Sequence, residues 1–175
     1  MSSAVVAAGK NGCPGNSIPE TLKHYGLPGG LFPNNVKHFS CEPDTHHSSS
    51  AINMKIQLYG TCAVTRDVGL KNVVKCAPEM SATISHAKLT NVKGVTVTLY
   101  FFGIQYGEVM TVTQVVVEPA AFPLRKTLQF KSAQGLDSPK FPIFFFPDQP
   151  PKYNDYQDVP SWVYEYGRLL PLVAA

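Results

Sequence analysis

The sequence is poor in charged residues, which make up 15% of its 175 positions, whereas soluble domains usually carry about 25%. The formal net charge is +3, and the 15 basic residues are spread singly along the chain, with Arg125-Lys126 and Lys131 the nearest approach to a cluster. A nucleic-acid-binding protein clusters Lys and Arg on one face, so this charge pattern argues against nucleic acid as a partner. Hydrophobic residues reach 44%, which excludes a disordered chain.

The sequence also lacks a long hydrophobic run. Its longest charge-free apolar stretch covers 14 residues, 94–107, and a membrane-spanning helix needs about 20. At the N-terminus the apolar stretch covers only residues 4–8, without the basic region of a secretory signal. We therefore expect no signal peptide and no transmembrane segment in this chain, and we favour a cytoplasmic location.

Cysteine is scarce, with four residues in the chain: Cys13, Cys41, Cys62 and Cys76. None of them forms a C-x-x-C motif, and no His lies at zinc-finger spacing from a pair, so we expect no metal site and no cofactor. Four cysteines are too few for a disulfide scaffold. One bridge is compatible with an exported protein, but the sequence does not determine which cysteines would pair.

A short helix is the clearest local signal in the chain. Ser17 and Glu20 have the spacing of a capping box, in which each side chain bonds the other residue's backbone N–H. Pro19 suits a first helical turn, and Gly26 suits the left-handed conformation that ends a helix. We predict a helix over residues 19–25.

After residue 35 the hydrophobic period changes to two, which is typical of β-strands. The alternation is cleanest over residues 52–64, where hydrophobic residues face one way and polar residues the other. Residues 91–94 are predicted to form a turn, and Gly107 a hairpin. The predicted strands cover residues 36–41, 52–64, 73–76, 80–86, 95–106, 108–118, 127–131 and 141–146.

Seven or eight strands with one helix predict a mainly β fold, in which a largely antiparallel sheet folds over on itself as a sandwich or barrel. We predict a flexible N-terminal tail over residues 1–16 and a single β-rich domain over residues 17–147. Residues 148–175 form a Pro/Tyr-rich tail with four acidic and two basic residues, whereas residues 1–147 carry a net charge of +5.

The sequence offers no catalytic motif. Ser85 and His86 are adjacent on a predicted strand, so their side chains point to opposite faces and cannot form a nucleophile–base pair. Cys62 lies on the apolar face of its strand, where a thiol is inert packing. The loop pair His46 and His47 is interpreted as solvated. His86, which ends an apolar strand face, is the histidine that we expect to line an interior.

Aromatic residues are the one surplus. Two strands carry three consecutive rings each, so both faces of each strand are aromatic. The simpler interpretation is that both sheet faces are covered by the protein's own core. The alternative is that one face lines a cavity for an apolar ligand. If a ligand binds there, the candidate residues are Tyr100, Phe101, Phe102, His86, Phe144 and Phe145.

The stretch from Thr21 to Val36, TLKHYGLPGGLFPNNV, resembles the opening signature of a plant family known as domain of unknown function 538. That signature is a Leu, then Tyr-Gly-Leu-Pro, a Gly-Leu and a Pro-x-Asn-Val. The likeness extends over residues 18–147, and further matches follow in order at Gly60-Thr-Cys62, Ile84-Ser85, residues 89–95, Phe101-Phe102 and Phe141-Pro142.

The resemblance implies a small pseudo-barrel made from a mixed sheet folded on itself. It also implies a stress-linked protein. Some members have been likened to lipid-binding bactericidal permeability-increasing proteins, or to chlorophyll-binding and chlorophyll-hydrolysing proteins. No catalytic motif of the family matches a residue here, so the resemblance supplies no catalytic residue.

Three functions remain as hypotheses. The sequence does not determine the oligomeric state. The first is a non-enzymatic protein that binds a lipophilic ligand, a lipid or a pigment such as chlorophyll, in a pocket of the sheet, with peripheral membrane contact. The second is an ester hydrolase acting on chlorophyll-like substrates through His86, Ser85 or Cys62. The third is a protein-interaction module that binds through its tail. An interior without a cavity larger than a water molecule would favour the third over the first.

Overall fold

A computed structural model describes residues 11–46, 50–68, 70–102, 104–121, 125–143 and 146. The predicted helix is present as α1, Ile18–His24. Ser17 caps it, because its Oγ accepts a hydrogen bond of 3.3 Å from the Glu20 N–H. The Glu20 carboxylate reaches back to the N–H of Asn16 at 2.8 Å, one residue earlier than the capping box predicts. In the described part of the chain, no helix is long and apolar enough to cross a membrane.

The predicted mainly β fold is confirmed, and it consists of one eight-stranded sheet. The strand order is β1-β2-β4-β5-β6-β7-β8, and β3 pairs with β4 as a continuation of the side that β2 occupies. The strands are β1 Val36–Pro43, β2 Ile52–Leu58, β3 Cys62–Val68, β4 Leu70–Ser85, β5 Lys88–Phe101, β6 Ile104–Pro119, β7 Lys126–Ser132 and β8 Phe141–Pro142.

The sheet differs from the implied mixed pseudo-barrel in two ways. Every strand pairing in the described residues is antiparallel. The sheet is also open, because β1 and β8 lie at its two ends and do not pair with each other within the described ranges. An open sheet leaves β1 with an edge that other backbone can approach.

One hydrophobic cluster forms the core. Leu22 of α1 and Leu27 and Phe32 of the following loop belong to the same buried cluster as residues of β1, β2 and β4–β8. Burying such a side chain contributes about 1.5–3 kcal/mol, so the N-terminal segment is a stabilising cover of the sheet. The largest side chains that are fully buried are Leu22, Met54, Ile84, Leu89 and Leu128.

A disulfide joins Cys13 to Cys41, with Cα atoms 4.9 Å apart and a sequence separation of 28 residues. The Cys41 N–H also donates a 2.9 Å hydrogen bond to the carbonyl of Asn11. Gly12 has a φ of +76°, and a Cβ there would collide with the Cys41 carbonyl oxygen. Residues 11–16 are therefore part of the folded domain, and the predicted flexible tail over residues 1–16 is wrong in this portion.

Irregular strands account for most of the boundary errors. The two strands predicted around Pro78 are one strand, β4, whose pairing with β5 shifts register between Cys76 and Ser81. The predicted turn at residues 91–94 lies inside β5, as an irregularity with positive φ at Asn91 and Gly94. Conversely, the single strand predicted over residues 52–64 is interrupted between β2 and β3.

The hairpin between β5 and β6 turns earlier than predicted. Phe101 pairs with Ile104, so two residues, 102 and 103, connect the strands, and Gly107 lies within β6. β8 ends at Pro142, and the predicted strand residues 144 and 145 lie outside the described residues.

Candidate functional site

The predicted ligand-binding residues whose side chains the structure describes, Tyr100, Phe102 and His86, do not come together. Tyr100 is buried, with 7% of its surface exposed, whereas Phe102 is 91% exposed. Phe101 is the last residue of β5. His86 lies exposed in the turn between β4 and β5. Phe144 and Phe145 lie outside the described residues, so their predicted role stays a prediction.

His86 and Phe102 lie at opposite ends of β5. That strand has 14 residues, which at about 3.3 Å each gives a length of roughly 45 Å. Both residues therefore cannot line one pocket. The prediction that His86 lines an interior is wrong, because Ser85 pairs with Lys88, so residues 86 and 87 form the loop of a hairpin, in which His86 is exposed and Ala87 is half-buried.

The turn that contains His86 has a structural role. The Ala87 N–H donates a 2.6 Å hydrogen bond to the carbonyl of Tyr25, at the end of α1. The Ala87 carbonyl in turn accepts from Val117 of β6 at 2.9 Å. The imidazole lies over Gly26, since a Cβ built there would be 3.5 Å from the His86 Cε1 atom. These contacts fix the end of α1 against the sheet.

The interior contains an apolar cavity of about 30 Å³. This is the space of about one water molecule, which is far too small for a lipid or a chlorophyll. Leu99 and Tyr100, which point to opposite faces of β5, are 5% and 7% exposed, so both faces are covered at this position. The cavity is lined by Leu31, Phe32, Val74, Cys76, Leu89, Val92, Val95, Val112, Val115, Phe130 and Phe146.

The hydrolase candidates are also dispersed. Ser85 ends β4, and Cys62 pairs with Cys76, nine residues earlier on the same strand. Nine strand residues span about 30 Å, so Ser85 and Cys62 cannot act on one substrate bond. Among the described residues, no group of three His, Cys, Asp or Glu side chains could hold a metal ion.

Among the described residues, two exposed hydrophobic side chains lie close together at the tip of the β5–β6 hairpin. Phe102 is 91% exposed and Ile104 is 73% exposed. We call these two side chains the apolar tip. Lys71 of β4 pairs with Tyr100 of β5, so the start of β4 lies next to the apolar tip at the same end of the sheet.

Phe102 is an unfavourable residue for its backbone conformation. Its φ is +49°, in the left-handed region. Two-residue hairpin loops favour a positive φ at their first position, and Asn, Asp or Gly normally occupies it. For a residue with a bulky side chain, this conformation costs about 1–2 kcal/mol. Folding stability would therefore select Asn or Gly at position 102 and would not select an exposed aromatic ring.

The sequence contained a signal for the apolar tip. Phe102-Gly103 lies between two strand-forming runs and has a Gly where a two-residue loop accepts one. The competing Gly107 was equally compatible with the alternation pattern. The disulfide partners, by contrast, had no signal in the sequence, since connectivity depends on how the chain folds.

Comparison with known proteins identifies one family. The model of the family described as "Protein of unknown function, DUF538" matches residues 18–133. The match includes α1, β1–β6 and β7, and therefore most of the sheet. No curated protein matches the chain, and no solved structure matches it.

Proposed function

The chain belongs to the DUF538 family of proteins of unknown function, and we propose that it is a non-enzymatic protein that binds lipid surfaces through its apolar tip. The observation that carries this proposal is Phe102, which combines 91% exposure with a positive φ. The positive φ lowers the stability of the isolated protein, and the exposed ring gains no burial energy that would offset this cost. A residue that is retained against stability is typical of a functional position.

The apolar tip is a better candidate than the interior cavity for the site that contacts lipid. The cavity of about 30 Å³ has no room for a lipid, whereas the apolar tip is already accessible. A stable protein–protein interface buries about 1,200–2,000 Å². The apolar tip offers two large side chains, about 300 Å² in all on the usual size of such groups. A bilayer requires no shape complementarity, so a small apolar projection is enough to enter it.

The expected affinity is modest. Transfer of Phe102 and Ile104 from water contributes about 1.5–3 kcal/mol each. Residues 1–147 carry a net charge of +5, which adds attraction to anionic headgroups. The binding that we propose is therefore reversible and peripheral, and it weakens as salt is added.

The disulfide supports an oxidising compartment as the location of this protein. Disulfides persist in oxidising compartments and are rare in the cytosol. The Cys13–Cys41 bond therefore favours an exported or lumenal protein over the cytoplasmic location expected from the sequence. The stress-linked role and the plant origin that the resemblance implies stay predictions.

Vesicle co-sedimentation tests the proposal, with vesicles of phosphatidylcholine and phosphatidylserine as the probe. Phe102→Asn should weaken binding by about 10-fold or more, which corresponds to the lost transfer free energy. Tyr59→Asn is the matched control, because Tyr59 is 76% exposed but lies in the connection between β2 and β3, away from the apolar tip. We expect it to bind vesicles as the wild type does.

Thermal unfolding makes this test independent of folding defects. Asn accepts a positive φ, so Phe102→Asn should be at least as stable as the wild type while binding vesicles less well. Equal binding of vesicles by wild type and Phe102→Asn would contradict the proposal. If the wild type ignores vesicles but retains a lipid or chlorophyll in native mass spectrometry, the site is instead an interior pocket that opens.

The small volume of the apolar cavity also supports a second candidate, a protein-interaction module. The observation that favours it is the same water-sized cavity. Affinity capture with immobilised wild type and Phe102→Asn distinguishes the two functions. A specific protein captured by both forms, together with no vesicle binding, would favour the interaction module.

A further inference from the structure

The outer edge of β1 borders a groove on the molecular surface. Its volume is about 330 Å³, within the range of about 300–1,000 Å³ that is usual for ligand pockets. One wall is β1, and the other wall is the segment that leads into α1. The lining residues are Asn11, Asn16, Ser17, Ile18, Pro19, Pro33, Asn34, Val36, Lys37, His38 and Phe39.

The backbone of β1 presents hydrogen-bonding groups to this groove. In an antiparallel edge strand, alternate residues bond to the neighbouring strand and the others point outward. The Cys41 N–H points outward, because it donates to the Asn11 carbonyl. Phe39 lies two residues away with no register shift between them, so its N–H and C=O point in the same direction. The groove therefore has a donor and an acceptor for an added strand.

The side chains define which strand would fit. Ile18 is buried, and Val36 and Phe39 are partly buried against the core, so the groove has an apolar floor. Lys37 and His38 are exposed on its rim. The residues that line the groove include no Asp or Glu. A complementary segment would be extended, aromatic or aliphatic on one side, and acidic on the other.

The C-terminal segment of this chain has that chemistry. Residues 162–166 read Trp-Val-Tyr-Glu-Tyr, so in an extended conformation Trp162, Tyr164 and Tyr166 share one side and Glu165 lies on the other. Aromatic and β-branched residues are the best strand formers. Residues 148–175 carry four acidic and two basic residues, opposite in sign to the rim of the groove.

The covalent connection also permits this contact. Phe146 lines the interior cavity together with Leu31 and Phe32, and the next two residues, Pro33 and Asn34, line the groove. Fifteen residues lie between Phe146 and Trp162, and an extended chain of that length spans up to about 50 Å. The groove is therefore within reach.

We propose that residues 162–166 of this chain add to the outer edge of β1 as a further strand, with Glu165 near Lys37. The proposal does not depend on lipid binding by the apolar tip. β1 carries the features that natural edge strands use against pairing with other molecules, namely a Lys, a register shift and a Pro at its end. A tethered segment overcomes that protection through its high local concentration, and a free peptide lacks this advantage.

Trp162 is the only tryptophan in the chain, so its fluorescence reports on this segment directly. In the full-length protein, acrylamide should quench Trp162 less than it quenches free tryptophan. Lys37→Glu should lower the ratio of bound to released segment about two- to fivefold, the usual effect of an exposed ion pair. Lys37→Glu combined with Glu165→Lys should restore the protection. Lys126→Glu is the matched control, because Lys126 is exposed on β7 and should leave quenching unchanged.

Amide exchange gives a second measurement that does not rely on charge. Tyr164→Pro removes a backbone donor from the proposed strand, and Tyr153→Pro makes the same change outside it. We expect faster exchange of the Phe39 N–H in Tyr164→Pro only. Full quenching of Trp162 in the wild type, or the same Phe39 exchange in all three proteins, would overturn the proposal. Protection that disappears on dilution would also overturn it, because the segment would then come from a second copy.

Discussion

Breaking the bond between Cys13 and Cys41 should destabilise the fold by a predictable amount. The bond closes a loop with a sequence separation of 28 residues. Without it, the unfolded chain regains the entropy of that loop, which corresponds to about 3.6 kcal/mol at 25 °C. The bond also holds residues 11–16 against β1, next to the Asn11–Cys41 hydrogen bond of 2.9 Å. For a domain of this size, the loss lowers the melting temperature by roughly 10–15 °C.

Urea unfolding with and without a phosphine reductant measures this contribution. The reductant should lower the free energy of unfolding of the wild type by about 3.6 kcal/mol and should raise its m-value, because the reduced unfolded chain is less compact. The control is Cys13→Ala/Cys41→Ala, whose stability should not respond to the reductant. Cys13 is fully buried and Cys41 nearly so, so this variant should also lose packing and start from a lower stability.

The outcome that would refute this reasoning is specific. Mass spectrometry after thiol labelling shows whether the bond is broken. If the bond is broken and the unfolding midpoint of the wild type stays the same, the loop does not constrain the unfolded state as argued. If the alanine variant responds to the reductant as strongly as the wild type, the effect belongs to other cysteines.

Two further predictions concern the backbone and pH. Gly94→Ala should destabilise by more than about 2 kcal/mol, because φ is +85° and the new Cβ would lie 2.5 Å from the Glu79 carbonyl oxygen. Gly135→Ala, with φ +76° and no atom within 4 Å, should cost only about 1 kcal/mol; equal urea midpoints would contradict this comparison. Burial raises the pKa of the Tyr25 hydroxyl above its ordinary value of 10.0, so its contribution to stability is complete below pH 10 and is lost as the pH rises through the folded-state pKa. Tyr25→Phe should therefore show a shallower loss of stability above pH 10, and identical slopes would argue against this contribution.

The sequence predicts secondary structure correctly where a few neighbouring residues determine it. Ser17, Glu20 and Pro19 predicted α1 within one residue at each end, because a helix start depends on side chains within one turn. The strand over residues 127–131 was likewise found as β7, Lys126–Ser132. Alternation identifies such strands because one face of the sheet is buried and the other is not.

The errors occurred where a partner strand decides the structure. The sequence predicts separate strands over residues 73–76 and 80–86, but β4 continues through the intervening Pro78 because the pairing with β5 shifts register nearby. The hairpin was placed at Gly107, although both Gly103 and Gly107 are compatible with a turn. The pairing of Phe101 with Ile104 selects the earlier one. Register is a property of two strands, and one strand's sequence does not contain it.

In the candidate site, too, the residue types are evident from the sequence, whereas their positions depend on the tertiary structure. The sequence pattern predicts that Phe102 lies either in a covered core or, as the alternative, in an interior ligand pocket. The structure places it 91% exposed at a hairpin tip, because the loop position turns its side chain away from both sheet faces. His86 was expected in the interior for the same reason and is exposed in the opposite loop. Side chains alternate between the two faces of a sheet only inside a strand, so the alternation pattern does not predict where the side chain of a loop residue points.

The low charge content and the periodic strands determined, without any structure, that this chain forms a mainly β domain with a short N-terminal helix. These features depend on the conformational preferences and hydrophobic periodicity of residues that are close together in the sequence, so they can be predicted from the sequence. The tertiary structure alone decided that Cys13 meets Cys41 and that β1 keeps an outer edge. It alone also decided that the cavity beside Leu89 and Phe130 has a volume of about 30 Å³ and that Phe102 projects into solvent. Each of these depends on residues far apart in the chain, whose proximity is set by strand register and packing.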